Sequence, residues 1–303
     1  MEQIIEVNNL VKNYKNIKAV QNISFQVEKG ELYGFLGVNG AGKSTTINIL
    51  CTLLDKTQGD IKVCGLTLGK QNEEIRRKIG VVFQDNTLDL RLTVKENLLT
   101  RGSLYNTDNG LVKKNLGIVS EILGIGDILN RQFMRLSGGQ KRKCEVARAL
   151  MNTPEILFLD EPTTGLDPGT RQNVWECIEA LRKEQDMTVF LTTHYMEEAA
   201  KANHIAILNA GHIVALGTPY ELKQIHAKDI LRLYPKDEGV VLSYLNSNHY
   251  VFHSKSNHIE VTLRSSMESI NLLNDLKDSL NAVEILQGTL DDVFLNITGH
   301  QLI

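Results

Sequence analysis

The stretch GVNGAGKST, Gly37 to Thr45, limits what this chain can fold into more than any other segment. Three glycines and a lysine fall within nine residues. The apolar ELYGFL before them reads as a short strand, and TINIL after them reads as the start of a helix. Glycine weakens both kinds of element, so glycines at their junction indicate a backbone path that side chains would not permit. The spacing Gly37-x-x-x-x-Gly42-Lys43-Ser44 is that of a phosphate-binding loop in its strand–loop–helix setting. Without Cβ atoms the backbone can wrap an anion with its N–H groups, and the helix start adds the positive end of a dipole. Lys43 can reach β- and γ-phosphates, and the Ser44 hydroxyl can ligate Mg²⁺.

The rest of the chain fits an α/β protein around that loop. Residues 1 to about 84 alternate strand-like and turn-like segments: QIIEV, ISFQV, LYGFLG, DIKVCG and KIGVVFQ. From 85 to about 152 leucines recur at helical intervals, which predicts a helical insertion. EILFLD, 155–160, is a continuous apolar run ending in acid, as expected of a parallel strand buried on both faces. TVFLTTH, 188–194, follows after an amphipathic helix in RQNVWECIEALRKEQ. Strands alternating with helices place ligand groups at the carboxyl ends of the strands.

Beyond LGTPYELKQ the pattern resets. The order strand (DILRLYP), helix (EGVVLSYLNS), hairpin (HYVFHSK and HIEVTLR), helix (SMESINLLNDLKDSL), strand (AVEILQ) is βαββαβ, a small α+β ferredoxin-like domain. Two domains are therefore expected, 1–220 and 221–303, and 303 residues suffice for both. At the end, TLDDVFLNITG predicts a helix capped by Thr289, with an apolar stripe of Val293, Phe294 and Ile297. That stripe needs a cover, and the expected one is the first domain or the tail of a second copy.

Composition narrows the function classes. A net charge of −3 offers no large basic surface for nucleic acid. No apolar run approaches the ~18 residues of a membrane span, and MEQIIEVNNL lacks the features of a signal peptide. Cys51, Cys64, Cys144 and Cys177 show no C-x-x-C spacing and read as reduced, mostly buried residues of a cytoplasmic protein.

Further candidates sit at the ends of elements. Asp160 can hold Mg²⁺ opposite the phosphate loop, and Glu161 beside it can orient and deprotonate an attacking water. The same pair could equally be a solvated turn before Pro162, and only the phosphate loop favours the chemical reading. In LSGGQKRKCEVARALM, Ser137-x-x-Gln140 fits a capping box. Gly138 and Gly139 permit close backbone approach, but residue types alone do not say which phosphate this helix faces. His194 and Gln84 each end a predicted strand, and singly each reads as readily structural as functional.

Together these segments resemble the ATPase subunit of an ABC transporter. The phosphate loop, Gln84, LSGGQ (136–140), ILFLDEP (156–162), GLD (165–167) and His194 occur in family order and at plausible spacings, over residues 1 to about 220. LTVKENL, VARAL, TTGLDP, LTTHYMEEA and GTPYELK are similar to the subgroup that serves ABC-2 type exporters, including daunorubicin-resistance ATPases. TLDDVFLNITG resembles a common ending of that subgroup. Val38 stands where proline is more usual and Cys144 where a larger aliphatic is usual; neither is a phosphate ligand.

The resemblance implies ATP and Mg²⁺ as ligands and assigns roles. Tyr14, in VKNYKN, matches the aromatic residue that stacks on adenine. The loop from Gly37, with the amides of Asn39, Gly40, Ala41, Gly42, Ser44 and Thr45, together with Lys43 and Thr46, would cradle the phosphates. Ser44, Gln84 and Asp160 would surround Mg²⁺. Glu161 would be the catalytic base and His194 the γ-phosphate sensor. Two copies would pair head-to-tail, so that Ser137, Gly139 and Gln140 complete the partner's site and Asp167 lies at the same interface. The implied protein is an exporter ATPase held on the inner face of the cell membrane by a separate permease. An importer ATPase shares the chemistry, and only the subgroup features speak against it. ABC proteins acting on ribosomes or DNA usually carry two cassettes or a long coiled coil, and this chain shows one cassette, no heptad run and no basic bias.

Overall fold

The computed structural model describes residues 2–299, and of residues 184 and 185 the backbone alone. It divides into two compact units after Leu216. In the first, β1 (Gln3–Tyr14) and β2 (Ile17–Glu28) form an antiparallel hairpin. β3 (Leu32–Gly37) runs into the glycine loop, and α1 (Lys43–Leu50) leaves it. β4 (Gln58–Val63) and β5 (Leu66–Thr67) complete a sheet of order β2-β1-β4-β5.

The next segment departs from the strand-rich expectation for the first 84 residues. NEEIRRK is a helix, α2 (Asn72–Lys78), before β6 (Ile79–Val82). Its single buried residue, Ile75, leaves no periodicity to read. What supports it is charge: Glu73 and Glu74 in the first turn and Arg76, Arg77 and Lys78 in the last complement the helix dipole. The helical block follows as α3 (Val94–Ser103), α4 (Asn109–Ile122) and α5 (Gly138–Leu150). The remaining elements of this unit are β7 (Ile156–Asp160), α6 (Pro168–Gln185), β8 (Thr188–Thr193), α7 (Met196–Ala199), β9 (His204–Asn209) and β10 (His212–Gly217).

β3, β7 and β8 are buried along their whole length in a sheet of order β10-β9-β3-β8-β7-β6. β9, β3, β8, β7 and β6 pair in parallel. This is why their sequences are continuously apolar and not alternating. One core joins this sheet to α1 and to the inward residues of β1, β2 and β4. At its centre Phe25, Tyr33, Phe35, Phe158 and Phe190 pack with ring centroids 5.3 to 6.1 Å apart. Cys51 and Cys144 are buried, Cys64 and Cys177 half-buried, and all four are free thiols.

The second unit contains α8 (Pro219–His226), β11 (Asp229–Pro235), α9 (Glu238–Ser247), β12 (Val251–Ser254), β13 (Ile259–Leu263), α10 (Ser269–Leu276), β14 (Leu280–Leu286) and α11 (Leu290–Thr298). The antiparallel sheet order β12-β13-β11-β14, crossed by α9 and α10, is the ferredoxin-like arrangement. Leu231, Leu233, Val241, Leu245, Val261 and Leu272 fill its core.

The last helix has a cover within its own unit. α11 packs on α8 within its own unit, burying Leu290, Val293 and Phe294, and Asn296 Nδ2 donates to the His226 carbonyl at 2.8 Å. α8 starts at Pro219, so a boundary drawn at 220 falls inside it. Residues 217–303 alone should therefore unfold in one cooperative transition. A shorter piece starting at Lys228, without α8, should melt at least about 10 °C lower, because the Leu290–Phe294 stripe loses its cover. Equal melting temperatures by circular dichroism would show that α8 does not stabilise this unit.

Candidate functional site

The glycine loop is built where nothing larger fits. A Cβ on Gly37 would lie 2.7 Å from the Leu208 carbonyl oxygen. One on Gly42 would lie 2.6 Å from the Ala19 carbonyl oxygen, and Gly42 also has φ of +108°. Gly42 precedes α1 without any side-chain cap, so the first N–H groups of the helix are left for an external acceptor. Lys43 is buried. Its ammonium donates to the carbonyls of Gly37 at 2.7 Å and Val38 at 3.3 Å, and lies 3.7 Å from Glu161 Oε1. Burial lowers the Lys43 pKa, and the Glu161 and Asp160 charges oppose that shift. Ser44 is exposed on the first turn, while the buried Thr46 hydroxyl donates back to the Gly42 carbonyl at 2.9 Å.

Asp160 and Glu161 end β7 beside that lysine. Asp160 is buried, and its Oδ1 accepts a hydrogen bond from the Thr192 hydroxyl. Burial raises the Asp160 pKa, partly offset by that hydroxyl. Glu161 takes a left-handed backbone, φ +46°, which is costly for a residue with a side chain. Its N–H donates to the Thr192 carbonyl at 3.0 Å, fixing this turn to β8. The turn aims the carboxylate at a ring of polar groups. Thr164 Oγ1 donates to Oε2 at 3.2 Å, His194 Nδ1 lies 3.4 Å from the same oxygen, and Gln84 Nε2 lies 3.5 Å from it. Lys43, Gln84, Asp160, Glu161 and His194 therefore form one cluster, although they come from four separate stretches of chain. The exposed Ser44 hydroxyl, the Gln84 amide oxygen and the Asp160 carboxylate are hard oxygen donors of the kind Mg²⁺ selects.

Ser137, Gly139 and Gln140 face a different place. Ser137 caps α5: its Oγ accepts from Gln140 N–H at 3.3 Å, and Gln140 Oε1 accepts from Ser137 N–H at 3.1 Å. A Cβ on Gly139 would lie 2.2 Å from Thr170 Cγ2, so only glycine lets α5 approach α6 so closely. These three residues line an open pocket of about 250 Å³ together with Ile125, Lys143 and Asn173, and none of the Glu161 cluster lines it. Asp167 is exposed and caps α6 by accepting from Thr170 N–H at 3.0 Å. Tyr14 is 42% exposed near the tip of the β1–β2 hairpin, with the Lys12 ammonium 4.9 Å from its ring centre.

Some contributors were not singled out in the sequence. Arg142, buried on α5, donates to the carbonyls of Phe83, Gln84, Asp160, Glu161 and Pro162. Burial pushes its guanidinium down to about 10. It binds the Gln84 segment and the Glu161 turn to one helix. Glu145, fully buried one turn on, accepts from the Thr87 and Leu88 N–H groups and holds the same segment. Tyr195 packs against His194, with ring centres 4.2 Å apart and planes tilted by 39°, and the Arg171 guanidinium lies 3.8 Å from its ring centre. The only hint in the sequence was charge at positions where α5 turns inward.

Comparison with known proteins points to one family. The sequence profile described as ABC transporter matches residues 20–164. The daunorubicin/doxorubicin resistance ATP-binding protein of Streptomyces peucetius is 35% identical over 98% of this chain and 92% of its own length. The linearmycin resistance ATP-binding protein of Bacillus subtilis is 33% identical over 99% of each. Among solved structures, a dimeric ATP-binding cassette in a post-hydrolysis state with ADP and phosphate is 28% identical. It has a TM-score of 0.64 over 71% of this chain and 98% of its own. A subunit of an ABC transporter complex from Clostridium perfringens is 25% identical, with a TM-score of 0.69 over 82% and 96%.

Removing the Arg142 guanidinium should be costly, because it leaves several buried carbonyls without a donor. Arg142→Ala is expected to lose about 3 kcal/mol, a fall in melting temperature of roughly 6 °C or more, measured by calorimetry. A shift below about 1 °C would mean that these carbonyls find other donors.

Proposed function

The chain belongs to the ABC transporter family of ATP-binding subunits, and we propose that it powers export of a drug-like, antibiotic or lipid-like molecule through a separate membrane permease. The protein is an ATPase, converting ATP and water to ADP and phosphate. The observation that carries the reading is the convergence of Lys43, Gln84, Thr164 and His194 on the Glu161 carboxylate, beside a glycine loop that leads into an uncapped helix start. Similarity to resistance and export ATP-binding proteins runs through the second unit as well as the first, which supports export. Among the described residues no helix is long and apolar enough to cross a membrane. In this proposal the permease supplies the path and holds the chain at the inner face of the cell membrane.

The chemistry follows from the cluster. The phosphates of ATP enter the loop against the amides of residues 39–45, with adenine on the Tyr14 ring. Lys43 leaves the Gly37 and Val38 carbonyls for the β- and γ-phosphates, which are stronger acceptors than neutral carbonyls. That move takes the ammonium away from Glu161 and frees its carboxylate. Glu161 then orients a water and accepts its proton as the oxygen attacks the γ-phosphorus and the bond to ADP breaks. His194, packed against Tyr195, donates to the γ-phosphate oxygens. Mg²⁺, held by Ser44, Gln84 and Asp160, would neutralise charge on the β- and γ-oxygens.

The pocket at Ser137, Gly139 and Gln140 lies apart from this cluster, which supports a composite site. Two copies pair head-to-tail, and the start of α5 in one meets the γ-phosphate held by the other, with Asp167 at the same interface. ATP binds the closed pair more tightly than the open one, and that difference drives the permease.

Glu161→Gln keeps the shape of the site but removes the base. ATP should still bind, turnover should fall by roughly 10²-fold or more, and ATP-bound dimers should accumulate on size-exclusion chromatography with Mg-ATP. Near-normal turnover would remove Glu161 from its role. Ser137→Arg should leave ATP binding to the monomer intact while blocking dimer formation and hydrolysis. Loss of monomer affinity would instead place Ser137 in its own subunit's site and end the head-to-tail reading.

A further inference from the structure

A second buried carboxylate lies behind the site, and the hydrolytic chemistry does not use it. Glu198 on α7 is 2% exposed. Its Oε1 accepts a hydrogen bond from the Thr163 hydroxyl, and its Oε2 accepts one from the Thr193 hydroxyl at 2.6 Å. Thr163 and Thr193 are themselves fully buried. Thr163 stands two positions after Glu161, and Thr193 immediately precedes His194. The Thr193 oxygen also accepts from the Tyr195 N–H at 2.9 Å, so it fixes the backbone on the far side of His194. One carboxylate thus joins the turn that carries Glu161 to the turn that carries His194.

The choice of glutamate is physically informative. A hydroxyl has one proton to donate, and a carboxylate presents one oxygen to each hydroxyl, so both threonines can donate at once. An amide could accept from only one. Burying a carboxylate is expensive, and apolar residues of similar volume are often as stabilising or more so. A four-residue helix could be anchored by an aliphatic side chain at lower cost. What the carboxylate adds is a fixed separation between two loops, with direction as well as distance.

We propose that Glu198 is a positioning residue for ATP hydrolysis. It acts through Thr163 and Thr193 to hold Glu161 and His194 against the same water and γ-phosphate. The proposal rests on Glu161 as the base and His194 as a γ-phosphate ligand. Displacing reacting groups by about 1 Å can cost 10²-fold in rate, while the loop that binds the nucleotide is left untouched.

The test uses full-length protein and follows kcat for ATP, the Kd for ADP by calorimetry, and melting temperature. Glu198→Ala should lower kcat by about 10²-fold and change the ADP Kd by less than about threefold. Glu198→Gln, which can still accept from one threonine, should recover part of the loss and match the single threonine variants. Thr163→Val and Thr193→Val, close in shape to threonine, should each lower kcat and add little on top of Glu198→Ala, as expected of groups acting through one partner. Leu181→Ala, a core truncation on α6, is the stability control, expected to lower melting temperature with kcat near normal. If the kcat loss in Glu198→Ala only tracks melting temperature as in Leu181→Ala, or if both threonine variants turn over normally, the proposal is wrong. Should Glu198→Ala fail to fold, the two threonine variants decide alone. Glu161→Gln run alongside separates the readings: if it abolishes turnover while the threonine variants are normal, only Glu198 loses its role. If Glu161→Gln turns over normally, both readings fall.

Discussion

Parallel pairing of β3, β8, β7 and β6 is the constraint on which the rest of the first unit depends. Parallel strands bring all their carboxyl ends to one edge, and the registers make the alignment close: Leu36 pairs with Thr193, Asp160 with Thr192, and Val82 with Leu159. The residues that follow these pairs are Gly37, His194, Glu161 and Phe83. A phosphate loop, a carboxylate, an imidazole and the Gln84 segment therefore arrive side by side at that edge, where the contacts around Glu161 then hold them. The long apolar runs that make these strands are what place polar chemistry at their ends.

That edge accumulates charge around the buried Lys43 and Asp160, and the surrounding groups answer it. Lys43 and Glu161 lie 3.7 Å apart, both largely buried, while Asp160 beside them has only a threonine hydroxyl on its Oδ1 and a raised pKa. Arg142 reaches the same turn from α5 and donates to carbonyls, so its charge offsets nearby carboxylates without capturing Glu161 itself. The helix that begins at Ser137 thereby shares its position with the Gln84 segment and the Glu161 turn. Arg142 and Glu145 hold both to α5 through buried hydrogen bonds.

The second unit solves a smaller problem by other means. Its sheet is antiparallel and covered by two helices, and its last helix closes on its first, α11 on α8. Thr218 and Thr289 each start their helix with a capping box, and the apolar stripe they launch is local to this unit. A side-chain hydrogen bond from Asn296 to the His226 carbonyl ties α11 to the end of α8.

Sequence alone determined the elements whose signal is local. The glycine loop, the apolar strands ending in Asp160 and Thr193, the Ser137 cap and the βαββαβ order were all legible, because spacing and periodicity record backbone geometry directly. Resemblance then gave Gln84 and His194 their expected roles, which neither residue carried by itself. Tertiary structure alone decided the contacts between distant segments. Arg142 and Glu145 looked like ordinary charges on a capped helix until folding turned them inward onto residues about 60 positions earlier. Helix α2 was missed because one buried residue makes no pattern, and α8 was missed as a partner because its apolar face matters only when α11 returns to it. Glu198 was one acid in MEEA, and only the packing of two turns around it distinguishes it from Glu197, which stays exposed. Local signals survive in one dimension, whereas the worth of a buried charge depends on neighbours that the chain brings together only by folding.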